Sequence, residues 1–405
     1  MKKHLLTGFT LLFTFTSMAQ WQTTNGPQNS GKISSLTTKN SIVIAGTDSG
    51  GIYRSANSGI SWDSSNSGLT NRSNVNSLVA DAANIYAGVW DGLSGPAVFI
   101  SHDDGLSWNA SPLNFVFEFS LAIRPGVLIA GTWFGVAVSN DSGATWIGGS
   151  NGLPSNASVC GLAFSGTKIF SGVCSSGSGG LGVFSSTDGG INWSSFNNRF
   201  SVPPPINSLI VSGSTVFAGT TGEGIYTSAD GIPNWSASNN GLTNLNVNCF
   251  LDVSAGIIAG TDGGVFFTQD NGVSWTDISL GLFTNTKINS ITTDGIYIYV
   301  GTNTEVWKRL ILEITSGISE NKTILNGLKL FPTPTSEYLT FQFNDQHKPA
   351  GTATVDLINS IGEIILSVKL SDNENTLDIK TLPSGIYSCR ISKGDAIAIR
   401  KIVIL

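Results

Sequence analysis

Carboxylates and aromatic side chains recur at one kind of position in this chain. Asp48, Asp91, Glu223, Asp262 and Glu305 fall in short loops after apolar runs ending in Gly, and Trp90, Trp133 and Phe134 fall in the same loops. Two carboxylates some ~5–10 Å apart can hydrolyse a glycosidic bond, one as acid and one as base or nucleophile. Carboxylates beside aromatic platforms can instead bind sugars, basic peptides or a cation without turnover, because like charges in a funnel focus a field. Short polar loops also take Asp and Glu for solubility alone. The sequence favours the binding reading, with a carbohydrate-active glycoside hydrolase on the same loops as the alternative. No catalytic residue and no cofactor are assigned. There is no nucleophile elbow or phosphate loop. No C-x-x-C pair occurs and only 3 His are present, so no metal ligand set is expected. His102 reads as a solvated turn residue.

A repeat must position these loops. Six segments of the form S-x-D-x-G-x-x-W end at Trp62, Trp108, Trp146, Trp193, Trp235 and Trp275. Their acids are Asp103, Asp141, Asp188, Asp230 and Asp270, with Asn57 in the first copy, and the fifth copy has lost the regular glycine. A second element ends in Gly46, Gly88, Gly131, Gly172, Gly219, Gly260 and Gly301, at spacings of 42, 43, 41, 47, 41 and 41 residues. A third element precedes each, as in Val75-Asn76-Ser77-Leu78 and Ile288-Asn289-Ser290-Ile291. Each unit reads as four short strands, A to D, and a period in the low forties with four strands predicts a β-propeller. The seventh unit lacks a box, while an unmatched Trp21 opens the mature chain. Placing Trp21 in the outer strand of the last unit closes the ring and removes the free edge. The expected fold is therefore all-β: a seven-bladed propeller over 20–310 whose N-terminal strand completes the last blade.

The boxes resemble the Asp-box, or bacterial neuraminidase repeat, of sialidases, sortilin-type receptors, xyloglucan-degrading hydrolases and photosystem II assembly propellers. The resemblance implies that the box residues are structural and lie in the C to D turns, away from the active face. The carboxylate caps a tight turn, the Gly takes a conformation closed to other residues, and the Trp packs between sheets. A sialidase would also need an arginine cluster. Only Arg124, in Ile123-Arg124-Pro125, remotely resembles that family's R-I-P, so sialidase activity is not expected.

Export is written at both ends. Lys2 and Lys3, an apolar stretch from Leu5 to Phe15, and Ser17-Met18-Ala19 form a signal peptide over 1–19. Residues 311–326 read as a linker. In residues 327–405, Phe331-Pro332-Thr333-Pro334, Leu382-Pro383-Ser384-Gly385-Ile386-Tyr387 and the end Arg400-Lys401-Ile402-Val403-Ile404-Leu405 resemble the type A C-terminal sorting domain of the type IX secretion system. The resemblance implies a small antiparallel β-sandwich over 327–405. That resemblance implies two partners, the outer-membrane secretion machinery and a sortase-like peptidase. It also implies a route through the periplasm to the cell surface or medium. The 12% of charged residues and formal charge of -6, without a basic run, argue against a nucleic-acid partner. No transmembrane segment follows the signal, and a monomer is expected. Cys160 and Cys174 lie symmetrically about a turn at Gly166-Thr167, open to a disulfide or to two buried thiols.

Overall fold

Short β-branched and aromatic runs punctuated by Gly, Asn and Asp favour tight antiparallel hairpins over helices. The computed structural model describes residues 20–69, 74–90, 97–113, 118–175, 181–200, 202–229, 231–315, 329–331, 335, 337–342, 353–358, 364–370, 376–393 and 396–404. The expected signal peptide, Asp91, Asp230, residues 316–328 and Pro332 to Pro334 lie outside them. The chain divides into two compact units, one from Trp21–Gly317 and the other mostly from Ile318 onward.

In the first unit Ile33–Lys39 pairs with Ile42–Thr47, that strand with Ile52–Ser55, and that one with Asp63–Ser64. The same A-B-C-D order repeats from inner strands Asn74–Ala80, Glu118–Arg124, Ser158–Ser165, Ile206–Ser212 and Val247–Val253. In the last sheet, which begins with Ser290–Thr293, the outer strand comes from the other end of the chain. Gln22–Thr23 pairs with Val306–Leu310, Gln22 opposite Lys308 and Thr23 opposite Trp307. Among the described residues the unit thus has seven four-stranded antiparallel sheets. Each inner strand packs on the next, and the last packs on the first. The architecture is a closed β-propeller, all-β as the sequence requires.

Two recurring contacts set the sheets against one another. A Cβ on Gly46 would stand 2.5 Å from Val75 Cγ1, and one on Gly301 would stand 2.6 Å from Ile33 Cγ2. The glycine of strand B is therefore required by the first apolar residue of the next sheet. The box indoles supply the second contact by donating to the preceding sheet. Trp108 bonds Ser65 O at 2.9 Å, Trp193 bonds Gly149 O at 2.7 Å and Trp275 bonds Ser238 O at 2.8 Å. Trp21 obeys the same rule, bonding Ile278 O at 2.8 Å while 2% exposed. The outer strands differ from expectation in one respect: each is a two-residue strand that follows the indole rather than containing it. The box turn and the buried ring use up the residues that a longer outer strand would need.

The segment expected as a linker from 311 opens with a helical turn, Ile311–Thr315, on the propeller unit. Ile314 is buried in the cluster that holds Trp21 and Trp307.

In the C-terminal unit a three-stranded sheet of Lys329–Phe331, Tyr338–Gln342 and Thr376–Asp378 accompanies a four-stranded one. The latter orders Ile364–Leu370, Ala353–Ile358, Gly385–Lys393 and Ala396–Ile404. Their shared core includes Leu339, Phe341, Val355, Leu357, Tyr387 and Ile402. The Pro383 to Tyr387 signature starts the long third strand, with the Tyr387 hydroxyl donating to Pro383 O at 2.9 Å. Arg390 donates from Nε and Nη2 to Asp356 Oδ2 at 3.0 and 2.7 Å, which compensates that nearly buried carboxylate.

Candidate functional site

Strand register puts the start of every A strand beside the end of its B strand. Ile33 faces Thr47, Asn74 faces Trp90, Ile206 faces Thr220 and Val247 faces Thr261. The B to C loops therefore gather at one end of the ring around its axis. The A to B turns and the boxes occupy the other end. Arg124 closes its inner strand at that second end, with Nη1 donating to Gly166 O at 3.4 Å, so it cannot serve a pocket among the B to C loops. His102 lies on the box end too, exposed and 2.6 Å from Asn84 Oδ1.

A β-bulge interrupts six of the seven described inner strands at the same place, between Ile33 and Ser35, Val75 and Ser77, Glu118 and Ser120, Val159 and Gly161, Ile206 and Ser208, and Val247 and Cys249. The extra residue re-aims a side chain. It turns Ser34, Asn76, Cys160, Asn207 and Asn248 toward the axis, where they line a cavity of about 270 Å³ together with Asn289 and Ser290. Ser34 Oγ reaches across to Val75 O at 2.8 Å, and Asn248 Nδ2 reaches Ile288 O at 2.9 Å. Three polar atoms in this wall are buried without a hydrogen-bond partner: Ser208 Oγ, Asn289 Oδ1 and Ser290 Oγ.

Fourteen residues after each of these axial positions stands a residue at the end of strand B or the opening of the B to C loop, and the two meet at the cavity's mouth. Cys160 and Cys174 are paired there as a disulfide, with Cα atoms 5.8 Å apart. Asn207 Oδ1 accepts from Thr221 Oγ1 at 3.0 Å, Asn248 Nδ2 donates to Asp262 Oδ1 at 2.8 Å, and Asn289 Nδ2 donates to Asn303 Oδ1 at 3.1 Å. By the same spacing Ser34 matches Asp48, Asn76 matches Trp90 and Phe119 matches Trp133. The candidate residues Asp48, Trp90, Trp133 and Asp262 are thus four members of one ring of equivalent positions. The inner members of these pairs went unnoticed in the sequence, although the recurring Asn in Val75-Asn76-Ser77-Leu78 is their signal.

The aromatic residues are open to solvent. Trp133 is 46% and Phe134 59% exposed, their rings stacked at 6.5 Å and 20°, and Trp90 is 36% exposed. The described carboxylates are engaged. Asp48 Oδ1 accepts from Lys32 N at 2.9 Å, and Glu223 accepts from the Tyr226 hydroxyl at 2.9 Å. Glu305 accepts from Thr23 Oγ1, tying the closing strand to the last B to C loop. Asp262 pairs with Lys287 Nζ at 2.8 Å. Burial works to raise its carboxyl, but hydrogen bonds from Lys287 and Asn248 and the nearby positive charge outweigh that and hold it below the usual carboxylate range. That direction suits an anion and not a general acid. Lys32 shifts downward through burial and through the charge of Lys287, with Asp48 and Asp262 opposing. Among the described residues no group of three or more His, Cys, Asp or Glu is placed to hold a metal ion.

The boxes carry their own chemistry. Asp103 Oδ1 accepts from Ser107 N at 2.9 Å and Leu106 N at 3.1 Å, and Oδ2 accepts from the Ser107 hydroxyl at 2.6 Å. Asp141, Asp188 and Asp270 repeat this arrangement. Asn57 keeps the backbone bond to Ser61 N at 2.9 Å. These donors, the Ser107 hydroxyl first for Asp103, bring the four carboxyls down to about 2.

The comparisons agree with this architecture. Residues 329–405 match the family described as a secretion system C-terminal sorting domain, and this tail indicates export by the type IX system. YCF48 bound to D1 peptide superposes at TM-score 0.56 with 16% identity, over 73% of this chain and 98% of that one. The extracellular domain of a putative hybrid two component system from B. thetaiotaomicron gives TM-score 0.60 and 15% identity, over 95% of this chain and 57% of that one. The GH74 enzyme of Niastella koreensis gives TM-score 0.56 and 15% identity, over 95% and 74%. At such identities the likeness is one of fold. No curated protein matches. Among the described residues no helix is long and apolar enough to cross a membrane.

Proposed function

We propose that the chain is an exported, noncatalytic binding module that recognises a glycan or protein ligand on the end of the ring carrying its B to C loops. The observation behind this reading is the exposed Trp133 and Phe134 stack, with Trp90 on the neighbouring sheet, beside a polar axial cavity. Large exposed aromatic residues next to a concave polar surface mark interaction sites more often than catalytic ones. The boxes, on the opposite end, act as Asp-box structural turns. The sorting tail would engage the type IX machinery and then a sortase-like peptidase, leaving a monomeric propeller outside the cell. Incubating the purified chain with a panel of polysaccharides and peptides tests the reading. Retention of a ligand without any released product supports it. Product release that disappears in Asp91→Ala and Glu223→Ala would establish the glycoside hydrolase instead.

A further inference from the structure

The mouth is divided by chemistry. The second and third sheets present Trp90 and the Trp133 and Phe134 stack. The fifth to seventh sheets present the Asn207, Asn248 and Asn289 pairs. Among the described residues its cations are answered from within, while two acids accept from hydroxyls: Lys287 is bound to Asp262 at 2.8 Å, Lys32 lies among Asp48, Asp262 and Lys287, Glu223 accepts from Tyr226 and Glu305 from Thr23. Asn289 Oδ1 and Ser290 Oγ are buried and unpartnered in the cavity wall, and Ser290 is only 7% exposed. Buried acceptors and hydroxyls without partners are uncommon, and each calls for a water or a ligand group to supply the missing bond.

Resting on the binding reading above, we propose that this mouth takes the hydroxyl-rich end of a neutral carbohydrate chain. The sugar rings lie with their C–H faces on the aromatic arc, and their hydroxyls bond the side-chain amides of Asn248 and Asn289 on the polar arc. An anionic ligand would have to break the Lys287 and Asp262 pair in the presence of Glu223 and Glu305. A neutral polyol need not, and each hydroxyl can both donate to Asn289 Oδ1 and accept from a side-chain amide. The bulge between Val247 and Cys249 helps make this recognition possible, because without it Asn248 would fall in the ladder rather than toward the axis.

Calorimetric titration of the full chain with neutral gluco-, xylo- and manno-hexasaccharides, an oligogalacturonate and a lysine-rich peptide tests the proposal. One neutral sugar binds, with an affinity unchanged between about 50 mM and about 500 mM salt. Trp133→Ala and Asn289→Ala each weaken it about tenfold or more, and Ile60→Ser on the box end does not. Should Asn289→Ala fail to fold, Asn207→Ala is the matching substitution two sheets away. Salt-sensitive binding of the galacturonate or peptide alone, weakened by Trp133→Ala, would overturn the neutral-sugar class and keep the binding end. Binding indifferent to both substitutions, or no binding by any probe, would overturn both readings.

Discussion

A box carboxylate in this ring holds its turn only while it is charged. Asp103, Asp141, Asp188 and Asp270 sit near 2 in the folded chain against 3.8 for the free side chain. Their contribution is complete above the ordinary carboxylate value and is lost as pH falls through that value toward 2. Thermal unfolding followed from pH 5 down to about 2 is expected to show a steep fall in midpoint, shallower in Asp103→Asn. Glu313 acts in the opposite sense. Burial pushes it up to about 7 despite Arg309 at 3.6 Å, so its contribution is full below 4.5 and fades as pH rises through 7. The Cys160 and Cys174 bridge is the covalent member of the mouth ring. It closes a loop of 14 residues, for which chain entropy gives about 3 kcal/mol. Reductant is expected to lower the stability of the native chain by about that amount and to leave the Cys160→Ser, Cys174→Ser double variant unchanged.

Strands were legible where a residue type is forced by packing at a fixed period. The strand B glycine could be read because the next sheet's Ile or Val leaves no room for a side chain. Gly301→Ala places a Cβ 2.5 Å from Ser290 Oγ and 2.6 Å from Ile33 Cγ2, at the contact that joins the last sheet to the first. A loss of about 1–3 kcal/mol in denaturant unfolding is expected, as for other overpacked cores. The bulges were not legible. An inner strand with one extra residue has the same composition as one without, so Asn207 and Asn248 read only as part of a strand motif. Asp262 read as a free loop acid for a similar reason: Lys287, its partner, stands 25 residues away at the start of the next repeat, a pairing that only the packing of one sheet on its neighbour brings about. The helical turn at Ile311–Thr315 escaped because its apolar face is short and acquires meaning only beside Trp21.

At the scale of the molecule, ring closure converts a one-dimensional repeat into a surface with two unlike ends. Trp21 announced the closure by being an indole without a box, and its bond to Ile278 O fits the rule of the other sheets. The two ends compete as recognition surfaces. The box end shows Ile60, Leu106, Ile232 and Val273, each more than half exposed but carried singly on separate turns. The loop end combines stacked aromatics with an axial polar cavity. Hydroxyl-radical footprinting of the full chain, with and without a saturating mixture of neutral hexasaccharides, separates them most directly. The expected result is protection of Trp90, Trp133 and Phe134 with Ile60, Leu106, Ile232 and Val273 unchanged. Protection of those box-end residues, with the three aromatic side chains still fully reactive, would contradict the account.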